Sequence, residues 1–429
     1  MNRSLKNEVK MEDRRLEEIY FAFADMHLGE GKNNNLEYFK SDAEFAETIK
    51  LMLEKYAGEK LALYLLGDTI DFLVVEYHGR TQAEPTENAA LEKIAKIFAA
   101  HPKVVESFRI FIEAGERIKF FLGNHDIALG WPNVQNFIRR ELIKNISHPE
   151  QADAYSKRIE FALNETRSGV FFTHENDAEE IHSMPKNLFL TERAGKPLAT
   201  PLLCQPYGNH SRADLANPLA KGSRVRKGNY WVGRLEPHWY IYLESIWKNQ
   251  WFALNAFLMW LFMPLRHRCS RRWWVRKSAG LMKLFLMNLE ALLLTIWDTF
   301  RGRDYTHYPR TILENNNDIN IIFIAHIHTC RRETHEKYGT FIYPGNWSVT
   351  YDIQPPKPNL KWKHFRDLEK LAKTIWAARK MFNKKTQYLY QPKKRELYSF
   401  GVCKFYSDGY KETDLMRYNP KKKCLEKLN

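Results

Sequence analysis

The chain has 429 residues, of which 27% are charged and 44% are apolar, as is ordinary for a folded protein. Its 66 basic and 51 acidic side chains leave a net charge of +15, which favours anionic partners such as nucleic acid, an anionic membrane surface or phosphorylated metabolites. A solvated basic surface explains the same charge equally well. The five cysteines are widely spaced and form no C-x-x-C pair, which argues against a disulfide framework and a cysteine zinc site.

The N-terminal region and the hydropathy of the chain indicate where the protein works. Residues 1–18 are polar and lack the apolar core of a signal peptide. No run of about 20 apolar residues occurs that would form an ordinary membrane-spanning helix. We therefore expect a cytoplasmic protein.

Short apolar runs along the chain have the composition of buried strands, and each ends in polar residues. These runs cover 19–29, 61–71, 118–126, 169–175 and 319–329. Segments with helical periodicity lie between them, as at 43–58 and 87–101. Strands that alternate with helices predict a layered α/β fold, in which the loops at the carboxyl ends of the strands gather into one crevice.

The polar residues at these strand ends are of the types that bind metal ions. The motifs DMHLG, GDTID, GNHD, FFTHE and AHIHT contain Asp25, His27, Asp68, Asn124, His174, His326 and His328. Alternate residues of a strand point to the same face, so we expect Asp25 and His27 to lie together, and likewise His326 and His328. One such motif would mean little. Five in this order favour a site for two metal ions, which activates water and stabilises both oxygens of an in-line displacement at phosphorus.

This set of motifs resembles that of the calcineurin-like metallophosphoesterases, over roughly residues 18–184 and 303–353. The resemblance implies a four-layer α/β/β/α sandwich with the site at the strand ends. It further implies that one metal is held by Asp25, His27, Asp68 and His328. The other metal would be held by Asp68, Asn124, His174 and His326, with Asp68 as the bridge. Manganese is the expected metal, and iron or zinc suits the same ligands.

The resemblance also implies catalytic roles. His125 would contact the phosphate or protonate the leaving oxygen, and Asp126 would orient His125. Asp71, at the end of GDTID, would support the site rather than bind a metal. The candidates for contacting the substrate follow the last motif; they are Arg331, Arg332 and His335. Solvated surface charges are the alternative interpretation of the two arginines.

Residues 185–302 break the alternation of strands and helices, and we predict an inserted helical module there. They contain eight of the twelve tryptophans, and two apolar segments, 251–265 and 280–300, flank a basic stretch at 266–277. Three interpretations stay open. The module is a helical cap with its own core, a protein-partner surface, or a lipid-binding element. In the last case 250–300 lies on an anionic membrane or covers acyl chains.

A lid of hydrophobic and basic helices is similar to that of the UDP-diacylglucosamine pyrophosphohydrolases, peripheral membrane enzymes that cleave a lipid-linked pyrophosphate. That group has arginine where this chain has His125, and its lid is shorter. We therefore expect a dinuclear-metal phosphoesterase that hydrolyses a phosphodiester or pyrophosphate bond in a lipid-linked or membrane-associated substrate, at the inner face of the membrane. The alternatives are a nucleic-acid or nucleotide phosphodiesterase, a protein phosphatase and a non-catalytic membrane adaptor; the mixture of Trp, Leu and Met with arginine favours nucleic acid less.

The predicted organisation of the chain has four parts. They are a metallophosphoesterase core at 18–184, the insertion at 185–302, a second part of the core at 303–355, and a C-terminal part at 356–429. Within the C-terminal part, 359–385 has the spacing of a basic amphipathic helix. Residues 396–415 are typical of a closing β-hairpin with its turn around Ser407–Asp408–Gly409.

Overall fold

A computed structural model describes residues 14–31, 36–81, 86–175, 187–193, 196–206, 307–348, 350–352 and 393–428, with short stretches between 182 and 236. This part of the chain is mixed α/β, with parallel and antiparallel strands. Its six α-helices are α1 (Asp42–Lys55), α2 (Glu87–Ala100), α3 (Pro102–Glu113), α4 (Pro132–Ile143), α5 (Pro149–Ser156) and α6 (His307–Asn315).

The strands fall into two large sheets and three small ones. Those in the first half of the chain are β1 (Leu16–Phe23), β2 (Leu61–Leu65), β3 (Glu76–Tyr77), β4 (Arg80–Thr81), β5 (Arg117–Phe121), β6 (Ile159–Ala162), β7 (Asn164–Arg167), β8 (Val170–Thr173), β9 (Phe189–Arg193) and β10 (Lys196–Leu203). Those in the second half are β11 (Arg234–Glu236), β12 (Ile321–Ile324), β13 (Cys330–His335), β14 (Gly339–Pro344), β15 (Thr350–Asp352), β16 (Lys393–Arg395), β17 (Ser399–Tyr406), β18 (Lys411–Asn419) and β19 (Cys424–Lys427).

The first large sheet has seven strands in the order β19-β18-β17-β1-β2-β5-β6. Strands β1, β2, β5 and β6 are parallel, and β17 pairs antiparallel with β1. The second has five strands in the order β13-β14-β12-β8-β7, of which β14, β12 and β8 are parallel. Each of the five predicted apolar runs contains one of these parallel strands.

The two large sheets face each other across an aromatic core. In β1, Tyr20 points toward the second sheet, where its ring lies 5.9 Å from that of Phe172 in β8, centre to centre. Phe23, three residues further along the strand, points the other way and packs at 5.4 Å on Phe45 of α1. Both faces of the strand are buried in this way, which explains why the strand part of the run at 19–29 is continuously apolar.

Helices cover the outer faces of both sheets. The core outside the seven-stranded sheet includes Phe108 of α3 and Ile138 of α4. On the outer face of the five-stranded sheet, Leu313 of α6 belongs to a smaller core with Ile322 and Phe341. None of the helices within the described ranges combines the length and the apolar character needed to cross a bilayer.

Several sequence predictions are confirmed at the level of elements. The helices expected at 43–58 and 87–101 are α1 and α2, and the closing hairpin is β17 and β18, which β19 extends. The helical interpretation of 185–302 is wrong for its first part. Strands β9 and β10 form an antiparallel hairpin whose Phe189 ring packs 4.4 Å from that of Trp131 in the core. Most of the rest of the insertion and the helix expected at 359–385 fall outside the described residues; beyond β10, the insertion is described only at β11 and in short stretches between 204 and 217.

Candidate metal centre

All seven predicted metal ligands lie at one edge of the molecule, just beyond the ends of parallel strands. They follow β1 (Asp25 and His27), β2 (Asp68), β5 (Asn124), β8 (His174) and β12 (His326 and His328). The side chains are buried, except that His326 is partly exposed. Residues from both halves of the chain thus meet because parallel strands end at the same edge of their sheets.

Backbone hydrogen bonds fix the first two ligand loops to one another. The amide of His27 donates to the carbonyl of Asp68 at 2.8 Å, and the amide of Leu28 donates to that of Thr69 at 2.9 Å. In return, the amide of Asp71 donates to the carbonyl of Leu28 at 2.8 Å. The loops after β1 and β2 therefore continue the pairing of their strands, and Asp25, His27 and Asp68 have fixed relative positions.

Five of the ligands have a left-handed backbone, which is uncommon for residues other than glycine. Their φ angles are 49° for Asp25, 55° for His27, 50° for Asp68, 71° for His326 and 54° for His328. Such conformations cost about 1–3 kcal/mol each and cluster at functional sites. They also correct our expectation that D-x-H and H-x-H lie on strands. The strands end earlier, at Phe23 and Ile324, and the ligands occupy turns.

Two glycines leave space for the ligands. A Cβ atom on Gly67, whose φ is 87°, would lie 2.7 Å from Cγ of His174. A Cβ atom on Gly123 would overlap the carboxylate of Asp68 and lie 2.5 Å from its backbone nitrogen. The glycines of the GDTID and GNHD motifs therefore permit the close approach of the loops.

The first group of ligands consists of Asp25, His27 and His328, which present donor atoms within 4.8 Å of one another. Nε2 of His328 lies 3.5 Å from a carboxylate oxygen of Asp25. The rings of His27 and His328 are stacked, with centres 5.2 Å apart. Nε2 of His27 lies 3.9 Å from Oδ2 of Asp68, so Asp68 adjoins this group.

The second group consists of Asp68, His174 and His326, again with donor atoms within 4.8 Å. Nε2 of His174 lies 3.3 Å from the same Oδ2 of Asp68 that faces His27. Nδ2 of Asn124 lies 3.2 Å from Nδ1 of His182, whose ring lies 5.2 Å from that of His326. Asp68 therefore lies between the two groups, where a bridging ligand belongs.

Three of the candidate ligand imidazoles are held by their Nδ1 atoms. Nδ1 of His27 lies 3.2 Å from the carboxylate of Asp71, that of His174 lies 2.8 Å from the carbonyl of Leu66, and that of His328 lies 2.9 Å from Nδ2 of Asn346. Metal-binding histidines almost always donate their other ring N–H to such an acceptor as those beside His27 and His174, which fixes the ring. In each of the three rings Nε2 remains to face the site.

Buried polar atoms in the site lack hydrogen-bond partners within the part of the chain that the structure describes. They include Oδ1 of Asp25, Nε2 of His27, Oδ1 of Asn124 and Nε2 of His174. A buried polar atom without a partner costs about 1–3 kcal/mol. Divalent cations would satisfy these atoms, and a mixture of carboxylate, imidazole and amide donors suits manganese, iron or zinc. The residues thus fit two divalent cations.

The charges of the site also favour cations. Burial lowers the pKa of His174, but Asp68, Asp25 and Asp126 raise it more, to about 10. Burial raises the pKa of Asp68, but His174 and His125 bring it well below the usual value. The carboxylates therefore attract positive charge to the position that the ligand nitrogens face.

The structure corrects the role that we predicted for Asp126. Its carboxylate accepts backbone hydrogen bonds from Thr69 at 2.9 Å and Gly123 at 2.5 Å, so it joins two ligand loops. Asp71 orients His125 instead, with its Oδ1 2.9 Å from Nδ1 of the imidazole. Burial raises the pKa of Asp126 to about 7, and Asp68 adds to this rise.

His125 lies beside the first ligand group, with its ring centre 4.7 Å from that of His27. Burial lowers its pKa, Asp71 and Asp68 raise it, and Arg212 lowers it; the net change is a rise. Burial likewise raises the pKa of Asp71, but His125 and His27 outweigh it and bring that pKa far below the usual value. An ionised Asp71 therefore pairs with Nδ1 of His125 at 2.9 Å, and Nε2 lies on the other edge of that imidazole.

The predicted substrate contacts lie on β13, which leads away from the site. Arg332 donates to the carbonyl of Thr413 at 2.8 Å, on the seven-stranded sheet. Arg331 lies 3.2 Å from Glu333 and covers the ring of Tyr343. His335 is at the far end of the strand, opposite Gly339, where its ring packs 5.0 Å from that of Phe341. The structure does not bring Arg332 and His335 to the metal ligands.

Sequence reasoning missed three polar residues that lie beside the site. Asn346 orients His328, as described above. Asn209 donates to the backbone carbonyl of Asn124 at 2.5 Å, and Arg212 donates to the hydroxyl of Tyr38, whose ring lies 6.3 Å from that of His27. Asn346 follows an apolar run in the same way as the ligands do, which could have identified it. Asn209 and Arg212 lie in a segment without recognisable periodicity.

Comparisons with known proteins do not identify the chain. No model of a known protein family matches the sequence, and no curated protein matches it. The function must therefore be inferred from the residues of the site and their geometry.

Proposed function

We propose that this chain is a dinuclear-metal phosphoesterase of the calcineurin-like type, which hydrolyses a phosphodiester or pyrophosphate bond. One observation carries the proposal. Oδ2 of Asp68 faces Nε2 of His27 at 3.9 Å and Nε2 of His174 at 3.3 Å, while Asp71 and a backbone carbonyl hold the opposite nitrogens of these rings. A shared carboxylate between two fixed imidazole groups suits a pair of cations.

The order of the layers supports the same assignment. The layers follow one another in this order: the described helices α1, α3 and α4, the seven-stranded sheet, the five-stranded sheet and α6. Three hydrophobic cores lie between successive layers. This succession is the one expected of a four-layer α/β/β/α sandwich. The ligands lie at the carboxyl ends of the parallel strands of both sheets, as that fold requires.

The chemistry follows from the positions of the side chains. Two divalent cations, when bound, would activate a water molecule and neutralise the oxygens around phosphorus during an in-line displacement. The imidazole of His125 lies beside the first ligand group and would donate a proton from Nε2 to the leaving oxygen. Asp71 holds that imidazole in place, and its negative charge stabilises the protonated ring.

We also propose a lipid-linked or membrane-associated substrate, which rests on the sequence of residues 251–302 alone. They hold eight basic and two acidic residues next to long apolar segments. Such a composition favours an interface with anionic lipid. The test is co-sedimentation of the whole chain with phosphatidylglycerol vesicles at physiological salt. Sedimentation with the vesicles would support this substrate class, and a protein that stays in the supernatant would exclude it.

Hydrolysis of bis(p-nitrophenyl) phosphate by the whole chain tests the proposed activity. The protein is stripped with a chelator and then reloaded with manganese. We expect turnover that requires the metal, and its loss in Asp68→Asn, which removes the shared carboxylate. The matched control is Asp153→Asn, an exposed residue of α5 that pairs with Lys157. Equal turnover of the Asp68 and Asp153 variants, or no manganese bound to the wild type in elemental analysis, would overturn the proposal.

A further inference from the structure

A short segment of the insertion is fixed to the core beside the metal site. Nδ2 of Asn209 donates to the carbonyl of Asn124 at 2.5 Å and to Oε1 of Gln205 at 2.7 Å. Nδ2 of Asn217 donates to the carbonyl of Leu73 at 2.7 Å. Both asparagines are completely buried. Hydrogen bonds of buried groups are costly to break, so Asn209 and Asn217 give the described parts of this segment two firm attachments to the loops that carry the candidate ligands.

Arg212 lies between these attachments and reaches toward the site. Its guanidinium donates to the hydroxyl of Tyr38, and its Cζ lies 5.1 Å from the centre of the Tyr38 ring. The ring of Tyr38 meets that of His27 edge to face at 6.3 Å, and His27 in turn contacts His125. One side chain, Tyr38, therefore connects the guanidinium to the first ligand group.

Arg212 adds positive charge beside the proposed metal site. The two ligand groups fit divalent cations, and like charges held close together repel one another. An anion between Arg212 and these cations would turn this repulsion into attraction, and a phosphoryl group is such an anion.

We infer that Arg212 binds a phosphoryl oxygen of the substrate and that Tyr38 positions its guanidinium. The inference rests on the proposed function. It assigns to Arg212 the substrate contact that the sequence analysis had suggested for Arg331 and Arg332. Guanidinium groups suit this task, because their planar set of donors matches two oxygens of a phosphoryl group. Since Arg212 belongs to the insertion, that module contributes directly to substrate binding.

The test compares Arg212→Lys, Arg212→Ala and Arg140→Gln, an exposed arginine of α4, in the manganese-loaded protein. The readouts are KM for bis(p-nitrophenyl) phosphate, the inhibition constant of inorganic phosphate, and the manganese content. We expect Arg212→Ala to raise KM and the phosphate inhibition constant roughly tenfold or more, with a smaller rise in Arg212→Lys. Manganese content should stay unchanged in all variants. Millimolar guanidinium should partly restore the KM and the phosphate inhibition constant of Arg212→Ala.

Values of KM and of the phosphate inhibition constant within twofold of the wild type in both Arg212 variants would overturn the inference. So would a weakening of substrate and phosphate binding in Arg212→Ala that guanidinium does not restore. These outcomes are distinct from failure of the proposed function, in which the wild-type protein itself shows no metal-dependent hydrolysis.

Discussion

The carboxylate of Asp71 lies 2.9 Å from Nδ1 of His125, and its other oxygen lies 3.2 Å from Nδ1 of His27. One buried carboxylate thus orients both a proposed metal ligand and the imidazole that we propose as the proton donor. Under this proposal, any change at Asp71 affects metal binding and proton donation together. The two functions would be separated only by changing the histidines individually.

Replacement of Asp71 by asparagine should therefore impair both functions. The amide retains the shape of the carboxylate but loses the charge that orients the two imidazoles. We expect kcat for bis(p-nitrophenyl) phosphate and manganese affinity each to fall by about 10–100-fold. Steady-state kinetics and calorimetric titration with manganese measure the two effects, with Asp153→Asn as the control. A variant that keeps the full kcat would remove Asp71 from the mechanism.

Asn346 should matter for metal binding through His328. In Asn346→Ala, Nδ1 of His328 loses its hydrogen bond at 2.9 Å, so the ring is free to rotate. We expect manganese affinity to decrease by about 10-fold or more. The comparison is with Asn316→Ala, an exposed residue after α6, which should bind manganese as the wild type does. Equal affinities of the two variants would show that His328 needs no such partner.

Gly123 should tolerate no side chain. In Gly123→Ala, the added methyl group would overlap the carboxylate of Asp68, so the GNHD loop or the GDTID loop has to move. We expect manganese binding to be lost and the free energy of unfolding to fall by about 1–3 kcal/mol. Gly58→Ala is the control, since nothing lies within 4 Å of its Cβ position. That variant should lose some stability from its φ of 90° and retain manganese. Full manganese binding by Gly123→Ala would contradict the crowding that the structure shows.

The stability of the protein should depend on the protonation of His101. Burial lowers the pKa of this histidine, but Asp42 at 2.9 Å and Glu37 at 3.5 Å raise it to about 9. Because the pKa in the folded state exceeds the ordinary value of 6.5, the stabilisation is fully present below pH 6.5 and is lost as the pH rises through 9. Its size is on the order of 3 kcal/mol.

Urea unfolding at pH 6 and pH 9.5 measures this effect. We expect the free energy of unfolding to drop more in the wild type than in His101→Gln, which has no charge to lose. The same drop in both proteins would assign the pH dependence to other groups. Glu37 also accepts hydrogen bonds from the backbone amides of Gly31 at 2.7 Å and Phe39 at 3.0 Å. Loss of the stabilisation from His101 should therefore be accompanied by loosening of the backbone at Gly31 and Phe39.

The sequence was sufficient to find the strands and the candidate ligands that gather at their ends, because the same physical constraint creates both. A strand covered on two faces is continuously apolar, as in 61–65, and the polar residue that ends it stands out. Asp68 and His174 were found in this way. The backbone at the ligands was not predictable by this route, since alternation along a strand says nothing of a left-handed turn such as that at Asp25.

The remaining errors have specific causes. Asp126 was assigned to His125 because the two are adjacent, yet neighbouring side chains point in different directions, and Asp71 from another loop fills the role. The hairpin of β9 and β10 was missed although only Ala194 and Gly195 separate the strands, a connection of hairpin length. Arg212 reaches Tyr38 through tertiary packing, which no local pattern records.

The pairing of β1 with β17 has a consequence for how the protein is made. These neighbours in the seven-stranded sheet are separated by several hundred residues of sequence, so the ribosome synthesises β17 long after β1. Until then β1 has an unpaired edge, to which another strand can add. Formation of such distant contacts is slow. Chaperone protection of the nascent chain should therefore be important for the yield of this protein, and shortened translation products should aggregate.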